Sequence, residues 1–171
     1  IDSLISRVME IFQAFPDLIF AMAIMTFMGK GVLNLFIALG LLTWVRTARM
    51  IRASVMQLKE KEYIEASRAC GASTYWIIMK GLVPNCLSTI IVLVTLGIPN
   101  AIMYEASLSF LGIGIQPPTP SWGNMISAAQ TFISYRPVYS IMPGVAIMIT
   151  VIAFNIFGDG LRDALDPKLR A

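Results

Sequence analysis

The stretch VLNLFIALGLLTWVRTARMIR, residues 32–52, decides the fold. No charge interrupts it from Val32 to Val45, and then Arg46, Arg49 and Arg52 follow at intervals of three. Residues three apart lie on one helical face, so a single helix is predicted to continue from the apolar part into the basic part. An apolar helix ending in a row of arginines reads as a span emerging at a membrane boundary, where long basic side chains snorkel toward water. The same row could instead face a water-filled vestibule or an acidic partner.

A spanning helix needs about 20 apolar residues to cross about 30 Å of hydrocarbon. Besides 32–52, residues 11–28, 84–104 and 138–157 meet that requirement. The first carries Gln13, Pro16 and Asp17 near its start, and Asp17 suits a helix N-terminus at the cytoplasmic boundary. The third opens at Pro84, a residue favoured at the first helical position, and Pro99 is expected to kink it. Gly40 and Gly97 are places where helices could approach closely. The Gly29-Lys30-Gly31 turn is short enough to hold 11–28 and 32–52 as an antiparallel pair. The predicted fold class is therefore all-α: a polytopic membrane protein of about four transmembrane helices, forming one domain over residues 1–171.

Composition agrees. The hydrophobic set is 57% and the charged set 13%, about half the ~25% of soluble domains. Disorder is excluded by the same figures. There are no histidines, which removes His-based triads, His metal sites and His proton relays. Two cysteines, Cys70 and Cys86, are too few for a disulfide framework or a Cys-rich zinc site. No G-x-x-x-x-G-K-[ST] phosphate loop occurs, and Gly112-Ile-Gly114 runs into a Pro-rich loop rather than a helix, so no nucleotide site is expected. The net charge of +3 is too thin to suggest a nucleic-acid partner. The chain starts at Ile1 with no signal peptide, and is expected to begin partway into a longer protein.

Four spans give alternating sides. Arg7, the stretch Arg46–Lys80 and the tail with Arg162, Lys168 and Arg170 together hold eleven of the 13 Lys and Arg, leaving Lys30 and Arg136 opposite. The positive-inside rule assigns the richer side, with the 58–83 loop and the C-terminus, to the cytoplasm. The opposite loop, 112–136, is expected to begin with a stiff, extended connector at Pro117-Pro118-Thr119-Pro120. Trp122, Met125, Ile126, Ala129, Phe132 and Ile133 then fall at helical spacing, which predicts an amphipathic helix at the outer interface.

The loop between the second and third spans reads EKEYIEASRACGASTYWIIMKGLVP, residues 60–84. A helix is predicted over 60–70, with Gly71 as its C-terminal stop. Ser73 is placed to cap a second short helix through Tyr75–Met79. The apolar residues of this helix–turn–helix, Tyr63, Ile64, Tyr75 and Trp76, are too many for a solvated loop, and such a surface docks on something.

Glu65-Ala66-Ser67, then Gly71, then Pro84 thirteen residues later resembles the EAA loop of ABC-importer permeases. EASLSFLGIGIQPPTPSWG, residues 105–123, and FNIFGDGLRDALDPKLR, residues 154–170, are similar to the dipeptide/oligopeptide/nickel permeases, in particular the second, C-type subunit. The resemblance covers essentially the whole chain. Departures are mild: Ser67 replaces the second Ala, and Gly81 and Val83 stand where many members have Ile and Leu.

The resemblance implies a type I importer permease, these four helices being the last four of six. It implies a multi-pass protein of the bacterial or archaeal cytoplasmic membrane that carries no catalytic residues or metal of its own. The implied partners are a second permease subunit, two ABC ATPase subunits that bind ATP and Mg, and an external solute-binding protein. Glu65, Ala66, Ser67, Arg68, Gly71 and Pro84 would form the ATPase-coupling element. Independently of the family, Glu65 could simply pair within its helix with Lys61 or Arg68. Glu105, near the end of the third span, is a candidate for the substrate path, or else a solvated residue that ends the helix. The expected cargo is a di- or oligopeptide; nickel or another small solute is the alternative. A self-contained channel or ion-coupled carrier would need more intramembrane acids than Glu105, and a membrane anchor with a docking loop is a further alternative.

Overall fold

The computed structural model describes residues 2–165, and every regular element among them is helical. They are α1 (Asp2–Gln13), α2 (Asp17–Met28), α3 (Val32–Lys59), α4 (Glu62–Ala69), α5 (Thr74–Trp76), α6 (Val83–Phe110), α7 (Trp122–Ala129) and α8 (Val138–Leu165). A π-helical segment, Ile77–Leu82, joins α5 to α6, and a 3-10 turn, Gln130–Phe132, follows α7. Lys168, Arg170 and the end of the 154–170 motif lie outside the described residues.

Among the described residues, three helices are long and apolar enough to cross a membrane: Val32–Lys59, Thr74–Phe110 and Val138–Leu165. A fourth exists if α1 and α2 are counted together, but they meet at a bend of 88°. The stretch 11–28 is therefore not one straight helix. Pro16, at φ −58° and ψ 130°, has no N–H to continue the ladder, and its ring disfavours helical backbone at Phe15.

The chain divides into two compact units. One comprises the described residues up to Val45 together with Gly97–Phe154. Its core is Ala21 and Met25 of α2, Leu35, Ala38 and Leu39 of α3, and Leu108 of α6. The α2–α3 hairpin turns on Gly29 at φ +86°, and Asn34 Nδ2 donates to the carbonyls of Met28 (2.7 Å) and Gly29 (3.0 Å). Phe12 holds the end of α1 through edge-on contacts with Phe20 and Trp44, both at 5.5 Å between centroids.

The other unit runs over Arg46–Leu96 and from Asn155 onward. Its core is Ile64, Ile77 and Leu82, against which Val55, Leu58 and Ala72 pack. Gly158 of α8 lies against Leu96, whose Cδ2 would sit 2.6 Å from a Cβ there. Gly40 and Gly97, expected to mark close approaches, have nothing within 4 Å of such a Cβ.

Pro84 does not start a helix, as the sequence suggested, but sits second in α6 within a helix that is continuous from Thr74. In a regular α-helix its ring would collide with the carbonyl four residues back. Here the π segment ends just before it, with the Val83 N–H bonding to Ile78 O across the wider turn. Many large apolar side chains point outward, Phe27 at 92% exposure and Leu33 at 72% among them. Lipid tails are as apolar as these side chains, so in a bilayer that surface needs no cover.

Candidate functional site

In the loop between α3 and α6 the Gly71 stop and the Ser73 cap are as the sequence predicts, but the helix that Ser73 caps is not a separate short one: it runs on through the π segment into α6. α4 ends in a Schellman motif: the Gly71 N–H donates to Arg68 O at 2.9 Å and the Ala72 N–H to Ser67 O at 3.0 Å. This geometry requires a left-handed residue, and Gly71 has φ +80° with open space where a Cβ would be. Its glycine is needed for backbone conformation rather than for close approach. Ser73 then caps the next helix by accepting from Trp76 N–H at 3.2 Å.

Glu65, Ala66, Arg68 and Gly71 are exposed on this element, Ser67 is half-buried, and Pro84 is exposed at the start of α6. Among the described residues Glu65 makes no ion pair with Lys61 or Arg68. The Ser67 hydroxyl is absorbed by its own helix, donating to Tyr63 O at 2.7 Å. Tyr75 (74% exposed), Trp76, Ile78 and Met79 add a row of exposed apolar side chains beside the turn. The loop thus offers charged groups and large exposed apolar side chains on two helices joined by the Gly71 turn.

Ile64, expected with Tyr63, Tyr75 and Trp76 on a docking surface, is instead buried on the underside of this loop, packed with Ile77 and Leu82, and the contact it makes there was not foreseen from the sequence. Ile64 is 1% exposed and lies against Gly81, where an added Cβ would sit 2.7 Å from Ile64 Cδ1. The Gly81 carbonyl accepts from Asn85 Nδ2 at 2.7 Å and from the Tyr63 phenol at 3.3 Å. The available signal was Gly81 itself, a glycine in a helical stretch where larger residues are the rule.

Glu105 belongs to the other unit. It does not end α6, which continues to Phe110. Its Oε1 accepts from Ser109 Oγ at 2.7 Å, and Ser109 Oγ accepts in turn from Ile115 N–H at 3.0 Å. α6 closes in a second Schellman motif, with Gly112 at φ +75° donating to Ser109 O and Ile113 to Leu108 O. The following loop folds back on the helix. Gly114 packs on Ser109, and a Cβ at Gly123 would collide with the Ala106 carbonyl oxygen. The spaced small residues of 105–123 therefore fasten a loop to a helix end.

Two expectations for that loop need correction. Pro117-Pro118 is not an extended connector; the bond is cis and the chain turns there, with Thr119 N–H donating to Gln116 O at 3.1 Å. The amphipathic helix is shorter than its apolar spacing suggested. Capped by Ser121 on Asn124 N–H, α7 stops at Ala129, so Phe132 and Ile133 fall beyond it and are exposed.

A family model described as the inner membrane component of binding-protein-dependent transport systems matches residues 1–171. The chain is 41% identical to the glutathione transport system permease protein GsiD of Shigella flexneri, over 99% of this chain and 56% of that protein. It is 41% identical to the oligopeptide transport system permease protein OppC of Salmonella typhimurium and 40% to that of Escherichia coli, at the same coverage. It spans little more than half the length of these curated relatives. With its helical architecture and its match over the full 171 residues, the chain belongs to the family of binding-protein-dependent transport system inner membrane components.

Proposed function

We propose that this chain is part of the permease subunit of an ABC importer for peptides. Together with a second permease it lines the translocation path, and ATP is hydrolysed, with Mg, by two partner ATPase subunits. An external solute-binding protein delivers the cargo. The relatives' named cargoes, glutathione and oligopeptide, are both peptides and favour that class over nickel. The protein is multi-pass in the cell membrane, with the 58–83 loop and the C-terminus cytoplasmic.

The observation that carries this reading is the exposed two-helix element between α3 and α6, stopped by Gly71 and presenting Glu65, Arg68, Tyr75 and Trp76. ATP-driven transport requires a stiff body that sits in the moving ATPase and is joined directly to membrane helices. This element is joined to α3 by the short turn at Glu60–Lys61, and it runs without a break into α6. Glu65, Ala66, Ser67, Arg68, Gly71 and Pro84 form its coupling region. Glu105 acts with Ser109 in holding the outer loop, which supports a structural role ahead of one in the substrate path.

The test is purification of the tagged full-length protein in mild detergent from its own cells. Co-purification of a second permease and two ATPase chains is the expected result. A lone homo-oligomer that conducts ions would refute the importer reading in favour of a channel or carrier.

A further inference from the structure

We propose that Gly81, seated against Ile64 and bonded by Tyr63, is the joint through which movement of α4 is passed to α6. The proposal rests on the coupling role assigned above to this loop, and assigns positioning residues beneath it.

A coupling element must transmit displacement without yielding. α5, the π-helical segment and α6 form one helix continuous from Thr74, but α4 is separated from it along the chain by the glycine turn at Gly71, which is not stiff on its own. The rigid path between them is lateral. Ile64, the most deeply buried residue of α4, is flanked by Ile77 and Leu82 and fits the flat face that Gly81 leaves on the helix. Close-packed apolar contacts of this kind move together because interiors have low compressibility. Next to it, Tyr63 of α4 donates to the Gly81 carbonyl at 3.3 Å, and Asn85 of α6 donates to the same oxygen at 2.7 Å. One carbonyl is thus held from both helices. At 3.3 Å the Tyr63 bond is long for a hydroxyl donor, so the Ile64–Gly81 packing is the stronger of the two links between α4 and the helix that carries Gly81.

The contact depends on one atom at each end, and so can be broken and mended. A methyl at position 81 would sit 2.7 Å from Ile64 Cδ1, the atom that Ile64→Val removes. Gly81→Ala is expected to displace Ile64 in the full-length protein, and Gly81→Ala with Ile64→Val to restore the fit. Double-mutant logic then separates this contact from general damage.

The measurement is peptide transported per ATP hydrolysed by the assembled importer in liposomes. Gly81→Ala should lower that ratio several-fold, with complex yield near wild type and ATP hydrolysis continuing. Tyr63→Phe should lower it less, and the double variant should recover most of it. A wild-type ratio in Gly81→Ala, or no recovery in the double variant, overturns the proposal. So does a parallel fall of yield, hydrolysis and transport, which would mark the contact as merely structural. If Glu65→Lys abolishes ATPase docking while Gly81→Ala keeps a normal ratio, the joint is refuted and the coupling loop stands. If the wild-type protein binds no ATPase at all, both readings fall.

Discussion

The Tyr104 hydroxyl donates to Asp17 Oδ2 at 2.7 Å, joining residues 87 apart in sequence. Tyr104 lies six residues before the end of α6, and Asp17 opens α2. The bond therefore places the start of α2 beside the last third of α6, and Ala21 and Met25 follow with Leu108 in the same core. Sequence alone put Asp17 at a membrane boundary. It opens a helix, as that reading expected, and is a half-buried carboxylate that accepts from a phenol at the positive end of α2.

Removing that donor should be felt. Hydrogen bonds to charged groups contribute about 1.5–3 kcal/mol, so Tyr104→Phe should destabilise the protein within that range. Asp17→Asn, which keeps an acceptor, should cost less. Thermal unfolding in detergent measures both. Two variants melting like wild type would show that the bond contributes nothing to holding α2.

Glycines that look alike in sequence should behave differently. A Cβ at Gly123 meets backbone, the Ala106 carbonyl oxygen, a clash that no rotamer change can relieve. Gly123→Ala should therefore cost at least the ~1–3 kcal/mol typical of overpacking. Gly40→Ala adds a methyl to open space in α3 and should be neutral or stabilise by up to about 1 kcal/mol through helix propensity. Comparison of the two melting curves settles the contrast; equal effects would refute the packing at Gly123.

This contrast also marks what the sequence could reveal. The apolar run of α3, the Gly71 stop and the Ser73 cap each follow from residues within one turn of each other, and local chemistry determines them. The starts of α3 at Val32 and α8 at Val138 were legible for the same reason, but the helices run past the expected ends at 52, 104 and 157, to Lys59, Phe110 and Leu165, and proline upset two further expectations. Pro16 broke a predicted helix, whereas Pro84 was absorbed into one by a π turn, and no local rule separates the two outcomes. Which glycines are packed, and that Ser109 ties Glu105 to the Ile115 amide, depend on how distant segments meet. Position in the sequence carries no trace of that meeting.

Sidedness is checked with the native thiols. Cys70 is exposed beside Gly71, whereas Cys86 is buried in α6. In a Cys86→Ser background, Cys70 should react with an impermeant maleimide only from the cytoplasmic side. A Thr119→Cys substitution placed in a protein also lacking Cys70 should react only from outside. Labelling of both from one side would overturn the four-span arrangement.

The last prediction concerns docking of the ATPases on the 58–83 loop. Gly71 sits at φ +80° with open space around it, so a substitution there meets no neighbour and acts only on the backbone. Left-handed backbone costs a residue with a side chain about 1–2 kcal/mol, and a β-branched one is a rarer occupant still. Gly71→Val should therefore unwind the Schellman turn and misdirect α5 while the apolar helices insert normally. Glu65 is exposed on the outer face of α4, so Glu65→Lys leaves the fold untouched and changes only what a partner meets. A like-charge contact at an interface costs several kcal/mol, whereas truncating one partner of a buried pair costs about 2–5. Charge reversal should therefore release the ATPases more completely than Glu65→Gln. Both Gly71→Val and Glu65→Lys should reach wild-type levels in the membrane, yet purify without ATPase chains and fail to transport. Wild-type transport in both, or retained ATPases with only weakened substrate affinity, would show that the loop is not where ATP hydrolysis is coupled to the spans.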